Sequence, residues 1–160
     1  MLIEKIARLW SINDNLPPRV DVIALVSFGA TKDGLTKGTQ ATLEKTLELV
    51  KQYPEARVAF GIFTLSPRPD VEERIKKLTF KDPIFADTIV STIEEAEKIR
   101  AALPSGLIVR SIVVVTDEWH SRSAKIVWTR VWRDKTPRPN IRVISISSSL
   151  TVDGENPMIA

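Results

Sequence analysis

Short apolar runs alternate along this chain with longer stretches in which apolar residues recur every three or four positions. The first run is Val22 to Ser27, bounded by Pro17-Pro18 and Gly29, and its length and β-rich content predict a buried strand. From Lys37 to Tyr53, Leu43, Leu47 and Val50 recur at helical spacing until Pro54 stops them. Arg57 to Thr64 predicts a second strand. The turn Pro67-Arg68-Pro69-Asp70 then leads into a helix from Asp70 to Leu78, with Asp70 as its cap and Glu73 three residues on. Ser91 to Leu103 predicts an amphipathic helix with Ile93, Ala96, Ile99 and Leu103 on one face, ended by Pro104 and Gly106. Ser111 to Thr116 is the clearest buried strand. Ala124, Val127, Trp128 and Val131 form the stripe of another helix, and Ile141 to Ser147 is the last strand.

Strands that alternate with helices need crossover connections, which in one sheet are right-handed and make the strands parallel with helices on both faces. The expected fold is therefore a three-layer α/β/α sandwich with a short, mainly parallel Rossmann-like sheet. Residues 1–20 read as a helical or linker segment, 21–148 as the Rossmann-like domain, and 149–160 as a polar tail carrying Gly154 and Pro157.

Composition narrows the function. The chain has 160 residues, 43% hydrophobic and 27% charged, enough for one domain with a core of its own. It has no cysteine, which excludes disulfides, thiolate zinc sites and cysteine nucleophiles. The formal charge is +3, but the basic residues are spread among 20 acidic ones without a Lys/Arg block, which argues for a solvated surface and against nucleic acid. Met1 to Trp10 is interrupted by a glutamate and two basic residues, so neither an export signal nor a membrane span is expected, and the location expected is cytoplasmic.

In open α/β sheets, ligands bind beyond the carboxyl ends of the strands. Three segments fall there. Ser27 to Thr39 contains three glycines between a strand and a helix, but the dinucleotide pattern is absent, and the near match to a phosphate loop from Gly29 to Thr36 has Leu35 where the lysine belongs. Gly29 and Ala30 are candidate ligand-binding positions through their amides; a tight turn followed by a flexible loop is the other reading. The second segment, Thr116 to Ala124, holds the only histidine of the chain. His120 suits proton transfer near neutral pH and Arg122 suits a carboxylate or phosphate, with Thr116 alongside as a binding residue. The alternative there is a helix start capped by Thr116 or Asp117. In the third segment, Asp87 to Glu95, Ser91 and Glu94 have capping-box spacing, and the same helix start places Ser91, Thr92 and Glu95 where a ligand could reach them. One histidine and no cysteine argue against a metal centre, although Asp117, Glu118 and water would suit magnesium. No G-x-S-x-G elbow is present, and Trp128 lies on an apolar stripe, which makes it a core residue.

The apolar strand running into a glycine turn, Val20 to Gly29, the helix start Ser91-Thr92-Ile93-Glu94-Glu95-Ala96, and the strand end Val115-Thr116-Asp117-Glu118-Trp119-His120-Ser121-Arg122-Ser123-Ala124 together resemble the YdcF/SanA/ElyC family of bacterial proteins, a domain of unknown function. The resemblance spans about Asp21 to Ser147. Three positions depart from that pattern: Ser123 stands where an arginine usually precedes the alanine, Asp117 replaces a small polar residue, and Phe63-Thr64-Leu65-Ser66 replaces a second glycine-rich turn. The resemblance implies a Rossmann-type fold, a link to envelope integrity and peptidoglycan metabolism, one pocket lined by Thr92, Glu95, Thr116, His120 and Arg122, and S-adenosylmethionine or a nucleotide as the candidate cofactor.

Three functions compete at this point. The first is an enzyme, a transferase or hydrolase, that binds a phosphorylated or nucleotide-like small molecule, with His120 as general acid or base, assisted by Glu95, and Arg122 neutralising developing charge. The second is a binding module without chemistry, for S-adenosylmethionine or a similar ligand. The third is a structural or interaction protein whose apparent pocket is only capped helices and turns.

Overall fold

A computed structural model describes residues 2–147; the polar tail expected over 149–160 lies outside the described residues. The elements in chain order are α1 (Leu2–Trp10), β1 (Val22–Leu25), β2 (Ala30–Thr31), β3 (Gly34–Leu35), α2 (Lys37–Gln52), β4 (Arg57–Phe63), α3 (Pro69–Thr79), β5 (Ile84–Ile89), α4 (Thr92–Ala101), β6 (Ser111–Asp117), α5 (Ser121–Val131) and β7 (Asn140–Ile146).

Five strands pair in the order β5-β4-β1-β6-β7, every pair parallel. β1 is the central strand, with Ile23 registered between Val58 and Val113. The sheet is covered on both faces, which is why its inner strands read as continuous apolar runs. Ala24, Ala59, Ile112 and Val114 face Ala96 and Ile99 of α4 and Ala124 and Trp128 of α5. Ile23, Leu25, Phe60, Val113 and Val115 face the other way, toward Leu43 and Leu49 of α2 and Ile75 of α3. The three-layer Rossmann-like sandwich predicted from the alternation is the fold observed.

Trp128 is a core residue, as its stripe predicts, and it stacks on the equally buried Trp132 with ring centroids 6.4 Å apart. Emptying either position would cost about 3–5 kcal/mol. The inner face of α2 carries Thr39, Thr42 and Thr46, all fully buried. Thr42 and Thr46 donate to carbonyls one turn back, Thr39 and Thr42 respectively, so these hydroxyls enter the core already satisfied.

The structure corrects the sequence reading in four places. No strand is expected between Leu78 and Ser91, yet β5 lies there: Asp87 and Thr88 interrupt the apolar run of this edge strand, and Asp87 has φ of 60° beside a register shift at Gly61. The segment after Gly29 is an antiparallel β2–β3 pair rather than a structureless loop. Asp70 does not cap α3; Arg68 occupies the cap position, Pro69 is the first helical residue, and Asp70 pairs with Arg68 in the first turn. Ile93 leaves the predicted face of α4 and is 53% exposed, while Glu95 takes the buried place.

The segment before the sheet is tied down. The Ile12 amide donates to Ser121 Oγ, and Asp14 hydrogen-bonds both ways with Val143 on the outer edge of β7. Among the described residues no helix is long and apolar enough to cross a membrane.

Candidate functional site

α2 leaves β1 on one face of the sheet and α5 leaves β6 on the other, so the two adjacent strands diverge at their carboxyl ends. Such a switch point is where open α/β sheets form their crevice. The loops that meet there begin at Ser27 and Asp117, and the Phe28 ring lies 5.5 Å from the His120 ring.

Asp117 is fully buried at the end of β6. Its Oδ1 accepts the His120 backbone N–H at 2.8 Å and lies 2.7 Å from His120 Nδ1. A carboxylate can only accept, so the imidazole carries its proton on Nδ1 and presents Nε2 as a base. The side chain of His120 is 23% exposed. Neither Thr116 nor Asp117 caps α5, whose cap position is His120 without a side-chain cap bond; Asp117, three residues earlier, closes the turn before the helix and fixes the tautomer and orientation of the histidine. Its Oδ2 and the Oγ1 of Thr116 are buried without a hydrogen-bond partner, two acceptor positions that a water or a ligand donor would satisfy.

The turn after β1 needs a glycine. Gly29 has φ of +94°, and a Cβ there would lie 3.3 Å from Ser66 Cβ. Its surroundings consume the amides that a ligand would use. The Phe28 amide donates to Thr39 Oγ1 at 2.9 Å, that of Gly29 to Ser27 Oγ at 3.2 Å, and that of Ala30 to Ser66 Oγ at 2.6 Å. Ser66 Oγ returns a hydrogen bond to the Ala30 carbonyl at 2.9 Å. An anion at Gly29 and Ala30 would have to displace these hydroxyls.

Arg122 is engaged by the end of α1. Its Nε donates to the Trp10 carbonyl at 2.9 Å and its guanidinium stacks on the Trp10 ring, so it pins the end of α1. Ser91 caps α4 by accepting the Glu94 amide at 3.2 Å, and Glu94 reaches back to the Val90 amide, one residue earlier than in a regular capping box. Thr92 follows as the first residue of the helix, half-buried.

Glu95 is only 2% exposed. Burial pushes its pKa up to about 8, and the charges that act on it are Lys76, which lowers it, and Glu72, which raises it. Glu72 and Lys76 are themselves fully buried on α3 as an ion pair at 2.7 Å, with Lys76 Nζ 5.1 Å from the centre of the Phe60 ring. Among the described residues no hydrogen bond or ion pair joins Glu95 to His120 or Arg122. Sequence reasoning missed both the Asp117–His120 pairing and the Glu72–Lys76 pair. The i,i+3 and i,i+4 spacings were the available signals.

In comparison with known proteins, no family model matches this chain and no curated protein matches it. Two hollows away from the switch point, of about 610 Å³ around the loop from Leu103 to Leu107 and about 520 Å³ between α4 and α5, are candidates by volume. Their lining includes Arg100, which is committed to Asp134 at 2.7 Å. Size favours those hollows, but they are open grooves among surface side chains. Unpartnered buried acceptors occur both at the switch point, on Thr116 and Asp117, and in the α3–α4 cluster, on Glu72 and Glu95, but only the switch point adds an oriented imidazole with access to solvent, and chemistry rather than volume selects that end of the molecule.

Proposed function

We propose that the β1–β6 switch point binds a phosphorylated or nucleotide-like small molecule and that His120, oriented by Asp117, is the general acid or base of a transferase or hydrolase reaction there. The observation that carries this reading is the buried carboxylate 2.7 Å from Nδ1, which leaves Nε2 as the ring nitrogen free to accept a proton. The resemblance to the YdcF/SanA/ElyC family points to the same strand end and adds S-adenosylmethionine or a nucleotide as the ligand class. Ser91 and Thr92 remain the expected contacts for the far end of that ligand. Ser91 and Thr92 directly follow β5, and β5 is three strands from β6, about 14 Å at ordinary strand spacing, a span within reach of an extended nucleotide. Arg122 is left out of the proposed chemistry because its Nε is engaged by Trp10.

A binding module without chemistry is the second reading. The sealing of Glu95 favours it, because it leaves His120 without the second acid–base group expected from the sequence. Thermal shifts with nucleotides, S-adenosylmethionine and phosphorylated sugars, measured on the wild type, His120→Ala and Asp117→Asn, separate the two. A ligand at about 100 times its Kd adds about 2.7 kcal/mol to stability. For an enzyme, His120→Ala keeps the shift but loses turnover by about 10²–10⁴-fold, with Asp117→Asn in between. Binding without turnover in the wild type selects the module, and the absence of any shift overturns both.

A further inference from the structure

α1 is nine residues long, and its exposed side includes Leu2 at 73%, Ile6 at 46%, Leu9 at 83% and Trp10 at 51%, whereas Ala7 is fully buried against the body. At about 100° per residue, those four large side chains fall within an arc of about 100°, with Lys5 about 40° beyond Leu9 at its outer edge. Glu4 lies on the far side of the helix. A helix that turns its apolar stripe outward has the opposite orientation to a helix stabilised by packing on its own domain.

We propose that α1 is an interfacial helix that seats the protein on an anionic lipid bilayer. Two observations choose the lipid. A helix of this length is about 13.5 Å long and about 10 Å wide, so it offers far less than the roughly 800 Å² per partner of a stable protein interface, while a bilayer needs only a few inserted apolar side chains with basic neighbours. Lys5 is exposed and borders the stripe as its basic edge, Arg8 lies further round beside Glu4, and Trp10 ends the stripe as an amphipathic ring suited to the headgroup level. Arg122 holds the Trp10 carbonyl, so the docked helix and the start of α5, which follows His120, stay joined. The proposal does not depend on the reaction assigned to His120.

Co-sedimentation of the full chain with vesicles of phosphatidylcholine alone, and of equal parts phosphatidylcholine and phosphatidylglycerol, tests it. The wild type should partition onto the anionic vesicles, more weakly at high salt and on the neutral ones, and Leu9→Glu should lower the partition coefficient about tenfold or more. Leu9 is exposed, so the variant should keep the wild-type melting temperature. Leu2→Glu is the second variant. Brominated lipid should quench part of the tryptophan emission in the wild type and not in Trp10→Phe. Failure to partition onto anionic vesicles, or equal partition by Leu9→Glu and Leu2→Glu, overturns the proposal. So does self-association that Leu9→Glu abolishes without any lipid binding, since the occupant would then be a second copy of the chain.

Discussion

Asp117 and Glu72 are both fully buried carboxylates, and each holds a basic nitrogen at 2.7 Å, yet His120 keeps 23% of its side chain in solvent while Lys76 keeps none. Both clusters stand near the carboxyl edge of one sheet, at the start of α5 and in the first turns of α3. The difference is access. A partly exposed imidazole has a route to whatever occupies the crevice, which the proposed function requires. A sealed ammonium has no route to a ligand, and its partners are structural: one carboxylate at hydrogen-bond distance, the Phe60 ring, and the field of the neighbouring Glu95. The same chemical vocabulary can therefore serve a site in one place and a packing problem in the other.

The largest effect should come from breaking the sealed cluster. Lys76→Ala leaves Glu72 charged or protonated without its partner and should cost about 3–5 kcal/mol, whereas Glu72→Met with Lys76→Met should be near neutral or stabilising; urea denaturation of both checks this. If the single substitution costs less than about 1 kcal/mol, the cluster is not sealed and the comparison fails.

Glu95 sharpens the contrast through pH. Its native pKa is raised from 4.5 to about 8, so the folded protein retains a proton that the unfolded chain has released, and this group makes stability fall as pH rises across that window. Glu95→Gln removes the penalty. Its advantage in denaturant stability over the wild type should be small near pH 5, on the order of 3 kcal/mol at pH 7, and constant above the native pKa. An advantage that does not change with pH would mean that Glu95 is ionised in the folded state.

The smallest effect belongs to the open cluster. His120→Ala should change stability by about 1 kcal/mol or less, because the ring is partly exposed and Asp117 Oδ1 keeps the backbone N–H of residue 120 as a donor, even though the proposed function makes it the most damaging substitution for turnover. A loss as large as that of Lys76→Ala would mark His120 as a structural residue and remove the distinction.

Much of the fold is legible in the sequence. β1, β4, β6 and β7 are short apolar runs between punctuating residues, and the Ser91 cap follows from its spacing to Glu94. β5 was not readable, because an edge strand with a positive-φ aspartate lacks both an apolar run and strict alternation. The position of His120 was readable as the end of the clearest strand. Its partner Asp117 was visible only as a candidate cap or magnesium ligand, because spacing shows that a carboxylate can serve a helix start but not which atoms it will meet three residues on.

Periodicity and punctuation along the chain determined the alternation of strands and helices, the parallel sheet that such alternation requires, and the edge on which chemistry-bearing residues gather. Those are local rules, each set within a few residues by steric preference and hydrophobic spacing. The tertiary structure alone decided that Glu95 is sealed beside Glu72 and Lys76, that Arg122 serves Trp10, and that the amides of Phe28 to Ala30 are taken by Thr39, Ser27 and Ser66. Each depends on elements far apart in sequence meeting in space. A side chain's protonation, partner and reach are set by its surroundings, and those exist only once the layers have packed.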